Sequence, residues 1–453
     1  MVIYAYNNFS TIADYSELPK IQKDLIYKTL SYKVPGAEFS KAYRQRHWDG
    51  RKSCIKGNGN FPSGLLGYLT EAFKKEKISY KIANLMSKPE RTHYWQWIGP
   101  ERRYYQNEVV SKILEENFFR GIYELSTRAG KTVIAASIIQ ALGVKSLVVL
   151  NTVESMYQTA EEFQTFLEGV KIGFWGSGKK IDGEIIFALM GTLRNSPEIL
   201  DSVDCFIIDE VHLSAAETWY ETLLKSKAYY RFGQSGTAFR EDNADIRMFA
   251  NTGRIFYRKT SKELWTEDYI LKPKVNWLDS KVQPLHPSIN YAMAYKHGIT
   301  HNQERNNLIG KLVKKHENSQ VLISVEHIDH ANNIRDILKV NGIDCRVLHA
   351  QLTQEERDKN FTEFKEGKFL VAIATKILNT SVTIPNLAVL INAAGKMSGV
   401  ALLQKIGRVL GKGNKKQVFI YDFIDKHHRI LYKHSQKRYS KLNQVGYEQN
   451  GFE

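Results

Sequence analysis

The sequence predicts an α/β protein: two tandem parallel-sheet domains preceded by a small α+β domain. Three observations carry this. The chain has 453 residues, enough for three domains at the usual size of about 150 residues each. Two separate series of short apolar runs alternate with amphipathic helical stretches, the pattern of parallel strands with helices on both faces. The first hundred residues instead mix short apolar runs with glycine turns. With 43% hydrophobic and 25% charged residues, the composition excludes a disordered, collagen-like or membrane-embedded chain. No apolar run approaches the roughly 20 residues of a spanning helix.

Residues 1–98 are read as the small α+β domain. They carry 16 Lys/Arg against 8 Asp/Glu, and GYLTEAFKKEK is a helical stretch after the turn-rich KGNGNFPSGLL. In MSKPERTHYWQWIGPE, Pro89, Gly99 and Pro100 mark a linker. Residues 101–262 hold the first strand series: GIYEL (121–125), SLVVL (146–150), EIIFAL (184–189), DCFIID (204–209) and YRFGQSG (230–236). Residues 263–300, with Pro273, Pro284 and Pro287, read as a connector. Residues 301–425 hold the second series: QVLISV, DCRVLH, FLVAIA, AVLINAA and QVFIYDF. The two arrays suggest two RecA-like lobes facing each other. Residues 426–453 form a basic C-terminal segment, a solvated helix or a further DNA contact.

Charge points to a polyanion. Lys plus Arg is 64 and Asp plus Glu 48, a net +16, which suits nucleic acid. The start of the chain lacks the basic flank and apolar run of a secretory signal. Cys54, Cys205 and Cys345 form no CxxC pair, so neither a zinc site nor a disulfide framework is indicated. A reducing cytoplasm is the expected compartment.

Chemistry concentrates in three places. STRAGKTVIAA (126–136) follows a strand and opens a helix, the context of a phosphate-binding loop. Backbone N–H groups of Thr127, Arg128, Ala129 and Gly130 would cradle the phosphates of ATP. Lys131 would reach the β and γ phosphates, and Thr132 would ligate Mg²⁺. DEVH (209–212) ends another strand, where acidic side chains face the ligand crevice of a parallel sheet. Asp209 would hold the metal, and Glu210 would orient the attacking water and accept its proton. QKIGRVL (404–410) offers Arg408 as a finger toward the transferring phosphoryl group, with Gln404 one turn away on the same helix face.

In their order, Tyr105-Gln106, GKT, DEVH, SGTA, ATKIL and QKIGR resemble the superfamily 2 helicases over residues 101–425. The resemblance implies that RRYYQ, with Arg103, Tyr105 and Gln106, reads the adenine. It implies that Thr152 and Thr192 contact the nucleic-acid backbone, as do Thr375 and Lys376. His212, Ser235 and Thr237 would couple hydrolysis to movement. The chain departs from the family pattern at Arg128, where the loop often has glycine, at Ser381 and Thr383, and at Gly411. Gly411 stands where a second arginine is usual, with Lys412 next.

WDGRKSCIKGNGNFPSGLLGYL (48–69) is similar to the N-terminal domain of UvsW-type phage recombination helicases. That resemblance implies an ATP-dependent DNA helicase that remodels forks and Holliday junctions, contacting phosphates more than bases. Trp48, Gly50 and Gly64 also suit plain structural work, Trp48 in a core and the glycines in turns. The neighbouring cations Lys41, Arg44, Arg46, Arg51 and Lys52 are the candidates for phosphate contacts. Two other readings stay open: an RNA helicase or non-unwinding duplex translocase, and a junction-binding protein with a decayed motor.

Overall fold

Alternation builds the first sheet. In Val2–Ala5 and Phe9–Ile12 every second residue is buried, as a sheet with one covered face requires. The strands order as Asn60–Pro62, Phe9–Ile12, Val2–Ala5 and Lys81–Asn84. The helices Lys20–Thr29 and Leu66–Lys75 contribute Ile26, Leu69 and Phe73 to a core with Ile3, Ile12 and Phe61.

The computed structural model describes residues 1–115, 118–236, 245–280, 283–375, 384, 386–396, 398–411 and 417–452, and leaves aside the side chains of 400, 401, 404 and 408. By their contacts these form two compact units, not three: Met1–Ser126 with Gly130–Lys259, and Thr127–Ala129 with Thr260–Glu453.

The small N-terminal sheet therefore belongs to the first unit. Its core continues into Ala250, with Tyr220, Ile246 and Phe249 packed against it. Gly64, expected in a turn, is instead a point of close approach. A Cβ there would lie 2.3 Å from the Phe249 carbonyl oxygen and 2.4 Å from that of Ala250. Gly50 does make a turn, at φ +78°. Trp48 is half-buried and donates Nε1–H to the Arg51 carbonyl (2.6 Å). Nor is the stretch read as a linker a loose one. Trp97 pairs with Leu167 across a two-stranded ribbon, Trp95 donates to Glu184 (3.0 Å), and the Thr92 and His93 amides bind the Gly143 carbonyl.

The main sheet of this unit has eight strands. Their order is Lys179–Ile181, Ile172–Gly176, Ile185–Leu189, Ser146–Leu150, Cys205–Asp209, Tyr230–Ser235, Arg120–Leu125 and Ile255–Lys259. All pairings are parallel except that of the edge strand Lys179–Ile181. Three neighbouring strands thus end at Asp209, Ser235 and Leu125. Functional sites in open parallel sheets gather at such carboxyl ends.

The second unit carries seven parallel strands: Arg346–Leu348, Val371–Ala374, Gln320–Ser324, Leu387–Asn392, Val418–Ile424, Pro273–Asp279 and Gln449–Asn450. Pro273–Asp279 corrects the connector expected at 263–300. It pairs along its whole length with Val418–Ile424. A proline at the first strand position removes only a donor the ladder can spare. The C-terminal segment is likewise more than a solvated basic helix. Arg429–Gln444 buries Leu431, Ser435, Arg438 and Leu442, and the strand after it closes the sheet edge at Val275 and Asn276. No helix among the described residues is long and apolar enough to cross a membrane.

Candidate ATP and nucleic-acid site

The loop after Arg120–Leu125 turns through two left-handed residues, Arg128 (φ +72°) and Gly130 (φ +77°), and opens the helix Lys131–Leu142. Gly130 has little choice: a Cβ there would stand 2.4 Å from Gln106 Nε2. Ala129 is fully buried, and burial lowers the Arg128 guanidinium below the usual arginine range. Lys131 and Thr132 occupy the first helical turn, both partly exposed. The N–H groups of such a turn are free of helical partners and attract anions.

Opposite Lys131 stand the two carboxylates of DEVH. Lys131 Nζ lies 3.7 Å from Glu210 Oε1. Glu210 itself takes a left-handed backbone (φ +48°), a strained conformation for a non-glycine residue of the kind that clusters at functional sites. Its Oε2 accepts the Ser235 hydroxyl (3.2 Å) and faces His212 Nδ1 at 3.3 Å. His212 Nδ1 and Ser235 Oγ are in turn 3.0 Å apart. A serine hydroxyl has one proton to give. If it goes to Glu210, His212 must be the donor to Ser235.

Burial works against charge on Glu210, but the Lys131 ammonium, then His212 and the Ser235 hydroxyl, outweigh it and hold the carboxyl below its usual range. Asp209 moves the other way. Burial and the adjacent Glu210 carboxylate raise it, against the pull of Lys131 and a hydrogen bond from Gln234. Gln234 Nε2 donates to Asp209 Oδ1 (3.0 Å), and its Oε1 accepts the buried Tyr123 hydroxyl (2.9 Å). Neither Tyr123 nor Gln234 was legible as a site residue, although Gln234 immediately precedes Ser235.

Gln106 is 3% exposed, and its Oε1 accepts the Arg103 amide (2.9 Å). Arg103 also donates to the Tyr105 hydroxyl (2.8 Å). Tyr105 is fully buried, whereas Tyr104 leaves half its surface open and has Lys259 Nζ 5.0 Å from its ring centroid. The ring exposed at this position is therefore Tyr104, which the sequence reading passed over for its neighbour.

The residues expected along a nucleic-acid track are scattered over strand ends. Thr152 caps the helix Val153–Phe166, its hydroxyl accepting the Ser155 amide (3.2 Å). Thr192 sits half-buried in Met190–Asn195. Thr375 follows the strand Val371–Ala374, its amide on the Leu348 carbonyl. Gln404 and Arg408 ride on the helix Gly399–Val409 with their side chains outside the described set, and Thr237, Lys376, Ser381, Thr383 and Lys412 lie outside the described residues.

In the N-terminal block, Arg44 and Arg46 are exposed, as is Lys41. Arg51 is occupied: its guanidinium donates to Ser31 Oγ (2.8 Å) and to the carbonyls of Ser31 (2.8 Å) and Lys28 (3.2 Å). Lys52 pairs with Glu217 at 3.2 Å.

Residues 100–240 match the family described as type III restriction enzyme, res subunit, and residues 278–413 the helicase conserved C-terminal domain. Over 435 residues the chain is 25% identical to the ATP-dependent DNA helicase uvsW of Enterobacteria phage T4, covering 87% of this chain and 85% of that protein. It is 23% identical over 370 residues to the DNA 3'-5' translocase XPB2 of Sulfurisphaera tokodaii, covering 71% and 81%. The structure of S. cerevisiae Dbp5 bound to RNA and ADP BeF3 superposes with a TM-score of 0.55 at 16% identity, covering 77% of this chain and 89% of that one. That last likeness is one of fold.

Proposed function

The chain is a superfamily 2 ATP-dependent helicase related to UvsW, and from that premise we propose that it moves along DNA and remodels branched structures such as forks and four-way junctions. The observation that carries the motor is the grouping of Lys131, Asp209, Glu210, His212 and Ser235 at the carboxyl ends of neighbouring strands.

Each residue has a task the geometry supports. Lys131 and the loop amides hold the phosphates. Glu210, kept ionised by Lys131, orients a water and takes its proton. Ser235 and His212 report on the state of that carboxylate through their shared contacts.

A divalent cation fits the site. Two adjacent carboxylates face one ammonium, and oxygen donors suit a hard cation that keeps waters and substrate phosphates as its other ligands. Thr132 and Asp209 would hold Mg²⁺. Bound there, it would neutralise charge on the phosphates.

The DNA preference rests on the net charge of +16 and on the similarity to a DNA helicase along most of the chain. For the N-terminal block, the exposed cations Lys41, Arg44 and Arg46 are the proposed phosphate contacts, Arg51 serving structure instead. The test is a strand-displacement panel at fixed salt, with forks, four-way junctions, linear duplexes and RNA hybrids. Junctions and forks should be opened preferentially. Equal or better action on RNA hybrids would overturn the DNA assignment, and ATP turnover without displacement of any substrate would leave a translocase.

A further inference from the structure

Residues 393–398 link the strand Leu387–Asn392 to the helix Gly399–Val409, which carries Gln404 and Arg408, and the link begins with a turn through Ala393, Ala394, Gly395 and Lys396. This turn is held in an unusual way. Among these four residues, the carbonyl groups of Ala393, Ala394 and Lys396 accept hydrogen bonds from long side chains on three different helices. Arg305 Nη1, from Gln303–Lys315, donates to the Ala393 carbonyl (3.0 Å). The Tyr295 hydroxyl, from Tyr291–Tyr295, donates to the Ala394 carbonyl (2.6 Å). Arg438 Nη1, from Arg429–Gln444, donates to the Lys396 carbonyl (2.7 Å). The remaining residue, Gly395, takes φ +62°, and a Cβ there would stand 2.4 Å from Ile299 Cδ1.

The two arginines are themselves fixed. Arg305 and Asp425 are fully buried and paired at 3.1 Å, and the Arg305 guanidinium lies 4.0 Å over the Phe423 ring. Arg438, 1% exposed, makes a two-pronged pair with Asp422, Nε to Oδ2 and Nη2 to Oδ1, both 3.0 Å. Asn392, the residue before the turn, donates to the same Asp422 Oδ2 (2.9 Å). Buried ion pairs stabilise a fold little more than apolar residues of the same volume, so their better-supported use is to specify one geometry. Here both pairs converge on four residues of backbone. They also continue into the helix: a Cβ on Gly399 would lie 2.6 Å from Lys441 Cβ, so the helix start lies directly against Arg429–Gln444.

We propose that Arg305, Tyr295 and Arg438 are positioning residues for ATP hydrolysis. By gripping the carbonyls of Ala393, Ala394 and Lys396 they set the direction in which Gly399–Val409 leaves the sheet, and so where Arg408 is delivered. This rests on the assignment of Arg408 as the phosphoryl-stabilising arginine. It assigns the basic C-terminal helix a catalytic-support task in place of a DNA contact.

The experiment compares Tyr295→Phe, Arg438→Lys and Arg408→Ala in the full chain. Tyr295→Phe removes one hydroxyl and keeps the ring. Arg438→Lys keeps the charge and loses the planar fork. Three quantities are read: kcat for ATP at saturating nucleic acid, affinity for ADP, and affinity for ADP with aluminium fluoride as a transition-state mimic. A misplaced arginine weakens transition-state stabilisation selectively. Tyr295→Phe and Arg438→Lys should lower kcat and mimic affinity in parallel by about ten- to a hundredfold, less than the 10³–10⁵ of losing a finger outright. ADP affinity should stay within about twofold of the parent, since none of these residues lies in the phosphate loop. If Arg408→Ala is inactive while Tyr295→Phe and Arg438→Lys turn over normally, the positioning idea falls and the finger assignment stands. If Arg408→Ala hydrolyses normally, both fall. Should Arg438→Lys fail to fold, Tyr295→Phe decides alone, and a variant that only melts earlier with unchanged kcat overturns the proposal.

Discussion

Ser235 and Glu210 stand at the ends of neighbouring parallel strands, and the Ser235 hydroxyl donates to Glu210 Oε2 across 3.2 Å. The end of the strand Tyr230–Ser235 is thereby tied to the carboxylate proposed to orient the water. Any displacement of Ser235 would alter the charge environment of Glu210. This would give the proposed coupling a physical form, with hydrolysis and the position of the strand end meeting at the same pair of oxygens.

Glu210→Gln should lower kcat for ATP by about 10²–10⁴, the usual effect of losing a general base, while nucleotide binding persists. Lys131→Ala should weaken nucleotide binding itself. Binding of a fluorescent nucleotide alongside steady-state hydrolysis separates the two. Full turnover in Glu210→Gln would remove this carboxylate from the chemistry.

Ser235→Ala should move the acid limb of the pH profile. On the proposed mechanism Glu210 acts ionised, and the Ser235 hydroxyl is one of the groups that keep its carboxyl low. Without it the carboxyl rises, so activity must be lost at a higher pH than in the parent as pH falls. The check is kcat/KM against pH for the two proteins; coincident acid limbs contradict the arrangement.

Gln234→Leu should raise the Mg²⁺ concentration needed for half-maximal ATP hydrolysis by about 10–100-fold, the cost typical of losing a group that orients a metal ligand. Gln234 fixes Asp209 and is itself fixed by Tyr123. Tyr123→Phe should show a weaker form of the same change. A magnesium titration of hydrolysis measures both.

Gly64→Ala should destabilise the protein by about 1–3 kcal/mol, as overpacking of a tight contact does. Its methyl group would meet backbone oxygens at 2.3 and 2.4 Å, which cannot swing aside. Thermal unfolding is the measurement, and an unchanged midpoint would show that the two backbones can separate without loss.

Replacing Arg44 and Arg46 together with alanine should weaken junction binding and flatten its salt dependence. Each lost phosphate contact removes about 0.9 from the slope of log affinity against log salt. Arg51→Ala should instead lower stability, because its guanidinium holds two backbone carbonyls. Junction affinity at several salt concentrations, with melting curves, distinguishes these outcomes.

The sequence made most of the strand framework legible because the central strands are short, apolar and separated by helical spacing. Lys131, Asp209 and Glu210 could be placed from it because each follows such a strand. What it hid has physical causes. Gln234 and Tyr123 are uncharged side chains within strands, and only the strand order reveals that Gln234 meets Asp209 and Tyr123 meets Gln234. Tyr104 and Tyr105 are successive helical residues about 100° apart around the axis, so pattern alone does not say which ring is open. Pro273 looked like a breaker because a proline at a strand's first residue is indistinguishable, in sequence, from one in a connector. Arg438 looked like one more surface cation because its partner, Asp422, on the preceding strand, comes under it only when Arg429–Gln444 packs back on that strand.

The shared core at Ala250 and Gly64 constrains how this motor can be recombined with others. Limited proteolysis in the mostly exposed residues 85–90 should nick the chain without releasing a soluble fragment, since the cut pieces remain interlocked. A chimera that exchanges the N-terminal block at residue 98 would inherit a surface shaped for another motor's helix. A graft that moves this interface must carry Asp245–Thr252 with the block and keep its other partners, Tyr220 and Glu217, so the accessory region and these motor residues must be exchanged together.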